Sequence, residues 1–430
     1  KALFIFSTPG DDKYLSKLSQ VDDHFLTALE TVITIGKPSG EGKDLEKIQL
    51  IPYAKLTQSS SPLSLSTTIT PSSKCIMFTT SGTTSLPKLV VHNQNGIASH
   101  AKDIAKTLKL DIPSAVILQA IPFCGVFGFS QAMAAISSGA SILCLPSFDA
   151  RSTIDLIKEH NVTHLNGSDE MFDRLIHEST SITDFTSVAF CGYANFTPSL
   201  TDIVHTSEEF GLALVGLYGT SELLAFLAIQ RPELPASQRR RMGGFPVGES
   251  TKVRVRDPET GKALPKGEVG ELEFKCVSQM EGYYQNPNAT ARAVTKDGFF
   301  KSGDLGKICD DGSFEFLSRM GDVLRLGGFL VNPEEIESFI QKHPKVIGCQ
   351  VVGINGPKRP TCAAFITTEK GTYVSTQEIR EFCQTSLAKY KVPAYVFLIG
   401  KFPTTTGPNG TKIQRTVLRD LAQEKIVSTS

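Results

Sequence analysis

A run of hydroxyl residues around one glycine, ending at a lysine, is the stretch of this sequence best suited to bind an anion. Residues 79–88 read Thr-Thr-Ser-Gly-Thr-Thr-Ser-Leu-Pro-Lys. Backbone N–H groups near Gly82, the hydroxyls and the Lys88 ammonium can contact one group, so the run favours a phosphate-binding loop. A Ser/Thr-rich surface turn has the same composition and stays open as an alternative. The Walker pattern is not met, because residues 85–87 place no glycine before the lysine.

Further groups suited to a nucleotide follow apolar stretches downstream. Residues 218–222 read Tyr-Gly-Thr-Ser-Glu and come directly after the apolar residues 212–217. Ligands of open α/β sheets bind outside the carboxyl ends of the strands. The ring could stack on a base, a hydroxyl could contact phosphate, Glu222 could bind Mg²⁺, and Asp304 could accept hydrogen bonds from sugar hydroxyls. The alternative for residues 218–222 is a polar turn that binds no ligand. Lys412 is a lone lysine in a predicted loop, and such a lysine is usually only solvated.

The elements that hold these residues alternate between strands and helices. Strands are predicted over residues 2–6, 31–35, 75–78, 115–118, 140–145, 162–165, 188–193 and 212–218. Helices are predicted over residues 22–31, 97–109, 150–160 and 170–177, and a surface connection over residues 37–73. This alternation predicts a large N-terminal α/β lobe, with the phosphate loop leaving a sheet edge. Residues 122–129 crowd aromatics and glycines and could form a wall of an apolar pocket, or pack as ordinary core.

The pattern changes after residue 248. Period-two strands over residues 252–256, 270–275 and 314–317, with Gly or Asp in the turns, predict a small antiparallel β subdomain. Asn332 as N-cap, Pro333 at the first helical position and two glutamates after it predict a helix start. Strands over residues 351–353 and 363–367, a helix over residues 376–387 and a polar Gly/Pro loop presenting Lys412 complete the chain. We therefore predict two domains, residues 1–320 and 321–430.

Composition limits the function classes. The 430 residues include 44 basic and 44 acidic ones, so net charge gives no reason to expect nucleic acid or an anionic membrane as partner. The nine cysteines lack metal-ligand spacing, which predicts a reduced, intracellular protein without structural zinc. No apolar run approaches eighteen residues, no signal peptide is evident and the last three residues are not a peroxisomal address, so we predict a cytoplasmic location without a membrane span. Since the chain begins with lysine, we expect a processed product or part of something longer.

The order of the motifs resembles the adenylate-forming superfamily of acyl- and aryl-CoA synthetases, peptide-synthetase adenylation domains and luciferases. The motifs are residues 80–88, 218–222, 267–272, 282–287, 302–305, 319–337 and 410–415. The resemblance runs from about residue 76 to residue 421. It implies a large N-terminal α/β lobe with a small β subdomain, followed by a small mobile α+β C-terminal domain. Members usually carry a longer N-terminal lobe, so this chain is expected to lack its extreme N-terminal part.

The resemblance implies an AMP-forming acid-thiol ligase. A carboxylic acid attacks Mg·ATP to give an acyl-adenylate and pyrophosphate, and the acyl group then passes to coenzyme A. ATP, Mg²⁺ and coenzyme A are therefore the predicted cofactors and co-substrate, and a small-molecule carboxylic acid is the predicted substrate. The aromatic residues 123–129 and the pair Gly327-Gly328, which could admit a pantetheine arm, favour coenzyme A. Two alternatives are a stand-alone adenylating enzyme that loads a carrier protein, and a degenerate nucleotide-binding protein without ligase activity.

The site residues follow from the same resemblance. They are the β/γ-phosphate clamp Thr80, Ser81, Gly82, Thr83, Thr84 and Lys88; the α-phosphate contact Ser221; the Mg²⁺ ligand Glu222; the adenine slot Gly192, Tyr193, Ala194 and Tyr218; the ribose contacts Asp304 and Arg319; and the catalytic lysine Lys412. A cation at position 412 would offset the charge that builds on the reacting phosphorus.

Some positions depart from the family pattern. Ser85 and Leu89 stand where glycine is usual, Gly321 where a hinge Asp or Lys is usual, and Gly125 where a His often lines the acyl tunnel. Because of Ser85 and Leu89, a degenerate nucleotide-binding protein without ligase activity stays an alternative. Glycine at the hinge removes steric limits on the backbone, so we expect it to permit the rotation of the small domain after adenylation, with less preference for either endpoint.

Overall fold

Residues 1–69 and residues 70–430 form separate units in the computed structural model of the protein. The structure describes residues 1–6, 13–18, 20–36, 48–59, 68–80, 87–196, 200, 202–326, 329–356, 360–369, 371–407 and 410–427. No helix among these residues has the length and apolar character needed to cross a bilayer.

The first unit is a small parallel sheet with short helices. Its elements are β1 (Ala2–Phe6), α1 (Lys13–Leu18), α2 (Asp23–Leu26), β2 (Thr31–Ile35), β3 (Gln49–Pro52) and α3 (Tyr53–Ser59). The strands lie in the order β1-β2-β3, and Ile5, Leu18 and Val32 form a buried core. The two predicted strands are confirmed. The helix predicted over residues 22–31 is too long, since α2 has four residues, and the predicted connection contains β3 and α3.

The second unit begins with a hairpin and an α/β alternation. Its first elements are β4 (Lys74–Thr79), β5 (Leu89–Asn93), α4 (Gln94–Leu108), β6 (Val116–Gln119), α5 (Val126–Ser138), β7 (Ser141–Cys144), α6 (Ala150–Glu159), β8 (His164–Ser168), α7 (Asp169–Glu178), β9 (Phe190–Ala194), α8 (Ile203–Glu208) and β10 (Leu214–Tyr218). The five strands β6 to β10 are parallel and lie in the order β10-β9-β8-β6-β7. The predicted α/β lobe is confirmed. Helix α4 buries Ala101, Ile104, Ala105 and Leu108, as its apolar spacing predicts.

Antiparallel strands continue the same sheet. The next elements are β11 (Ala228–Ile229), α9 (Ala236–Arg239), β12 (Gly243–Pro246), β13 (Lys252–Arg256), β14 (Gly270–Lys275), β15 (Gly282–Tyr283), α10 (Pro287–Ala293), β16 (Phe300–Ile308) and β17 (Phe314–Arg319). The full sheet has eleven strands in the order β13-β14-β16-β17-β12-β11-β10-β9-β8-β6-β7. The predicted antiparallel strands are confirmed, and β11 and β12 join them to the parallel half. A separate sheet has the order β15-β5-β4.

Residues after Gly321 build an α+β arrangement. The elements are β18 (Leu324–Leu326), β19 (Phe329–Val331), α11 (Pro333–Ile340), β20 (Gly348–Asn355), β21 (Pro360–Thr367), α12 (Thr376–Gln384), β22 (Tyr395–Leu398), β23 (Thr404–Gly407), β24 (Gly410–Ile413) and α13 (Arg415–Val427). Asn332 caps α11 by accepting a hydrogen bond from the Glu334 N–H, as predicted. Two hydrophobic clusters form within residues 324–426. The predicted loop around Lys412 is instead the hairpin β23–β24. The boundary at residue 321 stays a prediction.

Candidate functional site

Tyr218, Asp304 and Arg319 meet at the carboxyl end of β10. The register of β16 and β17 places Asp304 opposite Arg319. The Tyr218 hydroxyl donates to Asp304 Oδ2 at 2.5 Å, and Arg319 Nη1 lies 2.8 Å from Asp304 Oδ1. The ring of Tyr218 packs against Phe274 and Phe314. The structure thus brings together three of the predicted nucleotide contacts.

The carboxylate of Asp304 is buried while its partner reaches solvent. Asp304 is 1% exposed, whereas the Arg319 side chain is 55% exposed. Burial raises the pKa of Asp304, and the Arg319 guanidinium and the Tyr218 hydroxyl oppose that rise. Among the described residues, Asp304 Oδ1 accepts no hydrogen bond, so its pairing with Arg319 is ionic.

Glu222 lies in a short 3₁₀ turn, Ser221–Leu223, that follows β10. Its Oε1 accepts a 2.8 Å hydrogen bond from the Tyr283 hydroxyl, and its backbone oxygen accepts one from the Met280 N–H at 2.8 Å. The oxygen of Ser221 lies 2.8 Å from His92 Nε2. Burial lowers the pKa of His92, which favours the neutral ring as the donor of this bond. The turn is therefore fixed from β5 and from the segment that leads into β15.

The predicted clamp residues that the structure describes are Thr80 and Lys88. The Thr80 N–H donates to the Lys88 oxygen at 2.9 Å, and the Lys88 N–H donates to Thr80 Oγ1 at 3.1 Å. Lys88 Nζ lies 4.7 Å from the centroid of the Tyr283 ring, within the range of a cation–π contact. The remaining predicted clamp residues, Ser81, Gly82, Thr83 and Thr84, lie outside the described residues, as do Gly327 and Gly328.

The backbone after Glu222 takes an unusual course. Leu224, Ala225 and Phe226 have φ values of 59°, 50° and 42°. A Cβ at Gly219 would lie 2.5 Å from Ala225 Cα, so this return of the chain requires glycine there.

Two buried side chains hold this left-handed turn. Ser130 Oγ donates to the Leu224 oxygen at 2.6 Å, and His100 Nε2 lies 2.8 Å from the Ala225 oxygen. Burial lowers the pKa of His100 to about 4, so the neutral ring donates. Sequence reasoning missed both residues. The apolar spacing that predicted α4 would have placed His100 on its buried face, where a histidine needs a partner.

The donor set around Glu222 suits a hard cation. The Glu222 carboxylate supplies oxygen, and the buried Thr220 Oγ1 has no hydrogen-bond partner in the described part of the chain. Oxygen ligands are those that Mg²⁺ prefers, and Mg²⁺ commonly takes one or two carboxylates together with substrate phosphates. No group of three His, Cys, Asp or Glu among the described residues could hold a metal by itself. The residues therefore fit Mg²⁺ carried by a nucleotide.

The predicted adenine residues Gly192, Tyr193 and Ala194 lie on β9, beside β10. A Cβ at Gly192 would lie 2.5 Å from Asn166 Oδ1, which accepts a hydrogen bond from the Gly192 N–H. Tyr193 is buried, and its hydroxyl donates to the Arg240 oxygen at 3.1 Å. The structure thus places this segment next to Tyr218, while its contact with a base stays a prediction.

A cleft of about 180 Å³ opens near the carboxyl ends of β6 and β8. It is lined mainly by apolar groups, including Ile121, Pro122, Phe127, Phe148, Met171 and Phe196, with Glu170 and Arg174 also on its wall. Of the predicted aromatic wall, Phe127 lines the cleft. Phe123 is 49% exposed, and Phe129 packs edge-on against Phe78. Gly125 is the N-cap of α5, a helix that sequence reasoning missed.

Lys412 lies on β24, opposite Thr405 of β23, and its side chain lies outside the described part of the structure. Three residues later, Arg415 anchors the start of α13. Its Nη1 lies 2.6 Å from Glu337 Oε1, its Nη2 lies 3.0 Å from Oε2, and Nη1 also donates to the Val351 oxygen at 2.9 Å. The backbone that carries Lys412 is therefore tied to α11 and β20.

The comparisons with known proteins agree with this architecture. A family model described as AMP-binding enzyme matches residues 10–284, and one described as AMP-binding enzyme C-terminal domain matches residues 335–407. The 2-methylpropanoate–CoA ligase CCL4 of Humulus lupulus is 33% identical over 364 residues, which cover 80% of this chain and 63% of that protein. The putative acyl-CoA synthetase YngI of Bacillus subtilis is 29% identical, with 79% and 62% covered. The chain thus spans less than two thirds of either relative.

A solved structure shares the fold. The crystal structure of ATP-bound MatB from Rhodopseudomonas palustris has a TM-score of 0.81 and 24% sequence identity. The match covers 95% of this chain and 82% of that one.

Proposed function

Because the chain belongs to the AMP-binding enzyme family, we propose that it is an ATP-dependent ligase that joins a carboxylic acid to coenzyme A. The acid and ATP form an acyl-adenylate and pyrophosphate, and the thiol of coenzyme A then displaces AMP to give the acyl-CoA. The observation that carries the proposal is the meeting of Asp304, Tyr218 and Arg319 with the Glu222 turn. The charge of Glu222 acts on the pKa of Asp304, so the two carboxylates belong to one electrostatic site.

Each group has a task in this reaction. Asp304 and Arg319 are suited to the ribose, because a carboxylate accepts hydrogen bonds from sugar hydroxyls and the guanidinium donates them. Lys88 and Thr80 are suited to the outer phosphates. Glu222 would hold Mg²⁺, which neutralises polyphosphate charge when bound. The Lys412 ammonium would bridge the acid and the α-phosphate, where negative charge develops.

The cleft beside β6 and β8 is the proposed site of the acid. It lies at the same edge of the parallel sheet as Glu222, where ligands of open α/β sheets bind. Its volume of about 180 Å³ is below the roughly 300–1,000 Å³ of typical small-molecule pockets, and its apolar lining disfavours a strongly polar tail. We therefore propose a compact, largely apolar carboxylic acid as substrate.

Two lobes, residues 1–320 and 321–430, would carry out the two half-reactions. Two hydrogen bonds cross the chain at the proposed boundary: Asn332 Nδ2 donates to the Leu317 oxygen at 3.0 Å, and the Asp322 N–H donates to the Arg319 oxygen at 2.9 Å. A Cβ built at Gly321 would meet no atom within 4 Å, so the backbone there would permit a rotation of the second lobe.

Pyrophosphate exchange with a panel of acids tests the first half-reaction, and mass spectrometry of acyl-CoA tests the second. We expect exchange with compact apolar acids. Glu222→Gln and Lys412→Ala should abolish it, while the exposed Glu233→Gln and Lys401→Ala should leave it unchanged.

Other outcomes would replace the proposal. Exchange without an acyl-CoA product would indicate an enzyme that loads a carrier protein. ATP binding that Lys412→Ala does not alter, with no exchange for any acid, would indicate a nucleotide-binding protein without ligase activity.

A further inference from the structure

We propose that Tyr283 is a positioning residue that orients the metal-binding carboxylate of Glu222 and holds the phosphate-loop lysine Lys88 beside it. This inference rests on the proposed function, because it assigns those two roles to Glu222 and Lys88. It adds a residue from β15, an element that otherwise contributes nothing to the reaction described above.

Tyr283 itself is held firmly. Its backbone pairs with Val90 of β5, and its N–H donates to Thr290 Oγ1 at 2.9 Å. Its side chain is 8% exposed and belongs to a hydrophobic cluster that includes Leu223 and Phe274. A buried ring fixed in this way has little rotamer freedom, so its hydroxyl points in a defined direction.

The hydroxyl of Tyr283 touches the carboxylate. It donates to Glu222 Oε1 at 2.8 Å, and it must be the donor because an ionised carboxylate only accepts. One oxygen of Glu222 is thus engaged, which restrains the orientation of the carboxylate and leaves Oε2 for another partner. Loss of a hydrogen bond of this kind to a metal-binding carboxylate typically lowers metal affinity or activity by roughly ten- to a hundredfold.

The ring of Tyr283 faces the lysine. Lys88 Nζ lies 4.7 Å from the ring centroid, where the negative face of an aromatic ring attracts a cation. One side chain therefore contacts a group on the phosphate loop and a group on the turn after β10. Its hydroxyl acts on the metal ligand, and its ring acts on the lysine, so the two effects can be separated by substitution.

Calorimetric titration of ATP into the 430-residue chain, without an acid and over a series of Mg²⁺ concentrations, tests the proposal apart from turnover. Tyr283→Phe removes the hydroxyl and keeps the ring. We expect it to need roughly tenfold more Mg²⁺ for half-maximal ATP binding and to leave binding without Mg²⁺ unchanged. Tyr283→Leu also removes the ring, so it should weaken ATP binding even without Mg²⁺.

Tyr284→Phe is the matched control, because Tyr284 is the adjacent tyrosine and is 49% exposed. It should behave like the unsubstituted chain. In a Glu222→Gln background, Tyr283→Phe should change the Mg²⁺ requirement no further, since the hydroxyl acts through that carboxylate. Thr290→Val, which loosens the Tyr283 backbone, gives a second test should Tyr283→Phe fail to fold, and it should raise the Mg²⁺ requirement in the same direction.

An unchanged Mg²⁺ requirement in Tyr283→Phe, with Mg²⁺-dependent binding by the unsubstituted chain, overturns this inference and leaves the proposed function standing. If Tyr283→Phe does not fold, an unchanged Mg²⁺ requirement in Thr290→Val likewise overturns this inference and leaves the proposed function standing. Absence of Mg²⁺-dependent ATP binding by the unsubstituted chain overturns the proposed function, and this inference with it.

Discussion

The Tyr218 hydroxyl donates to Asp304 Oδ2 although β11, β12 and β17 lie between their strands in the sheet order. Neighbouring strands lie about 4.8 Å apart, so strands four places apart in a flat sheet would be separated by about 19 Å. A tyrosine side chain cannot span that distance. The antiparallel half of the sheet must therefore curl over the end of β10. This curl, and not strand adjacency, brings the predicted ribose contacts to the Glu222 turn.

Tyr218→Phe should destabilise the protein through Asp304. It leaves the buried Asp304 Oδ2 without its donor, which should lower the free energy of unfolding by about 2 kcal/mol. Tyr193→Phe is the comparison, because it loses only a bond to the neutral Arg240 carbonyl and should cost about 1 kcal/mol. Urea unfolding measures both values. Equal losses would show that the charge of Asp304 does not matter to the bond.

Stability should fall as the pH is lowered from about 6.5 to about 4. The pKa of His100 is about 4 in the folded protein, whereas an unfolded histidine titrates near 6.5. Between these values the unfolded chain binds a proton that the folded chain does not, so acid favours unfolding. His100 should account for about 3 kcal/mol over this window.

Urea unfolding at a series of pH values checks this contribution. His100→Gln should flatten the curve between pH 4 and pH 6.5. An unaltered slope in His100→Gln would contradict the assignment.

Ser130→Ala should impair activity as well as stability. Ser130 holds the left-handed turn that follows Glu222, so its loss should raise the KM for Mg·ATP and lower kcat. Ser207→Ala is a matched change, since Ser207 is also buried and donates to the backbone oxygens of Val204 and Leu212 at 2.9 Å. Each should cost about 1 kcal/mol in unfolding experiments. Identical kinetics for the two variants would rule out a positioning role for Ser130.

Arg415→Met should destabilise the C-terminal residues strongly. Glu337 is 1% exposed and would be left as an unpaired buried charge, at a cost of about 3 kcal/mol. Adding Glu337→Leu should recover part of this loss, because no lone carboxylate then remains. Denaturant unfolding of the single and double variants measures the difference. A double variant less stable than Arg415→Met would contradict this account.

Elements with a local signal were predictable from the sequence. Helix α4 has an apolar stripe, and α11 begins with an N-cap asparagine and a proline, so both follow from short stretches of chain. Helix α5 has apolar residues on nearly all sides and two glycines near its start, which hides its period. The hairpin β23–β24 joins residues rich in Thr, Gly and Pro, a composition that equally fits a loop.

In the candidate site, too, residues within local motifs could be predicted from the sequence, and residues that act through distant contacts could not. Residues in compact motifs, such as Glu222 and Asp304, could be proposed from their type and their place in the motif, and their roles stay predictions. His100, Ser130 and Tyr283 were not, because each acts through contacts with segments distant in the chain. No local pattern encodes such a contact, which depends on how α4, α5 and β15 pack around the turn after β10.

The two hydrogen bonds between Thr80 and Lys88 reduce the entropy cost of binding an anion. They hold Thr80 and Lys88 together before any anion arrives. The entropy cost of bringing these two residues together is thus met during folding and not during binding. Thr80→Val, by removing one of these bonds, would shift that cost onto the binding step.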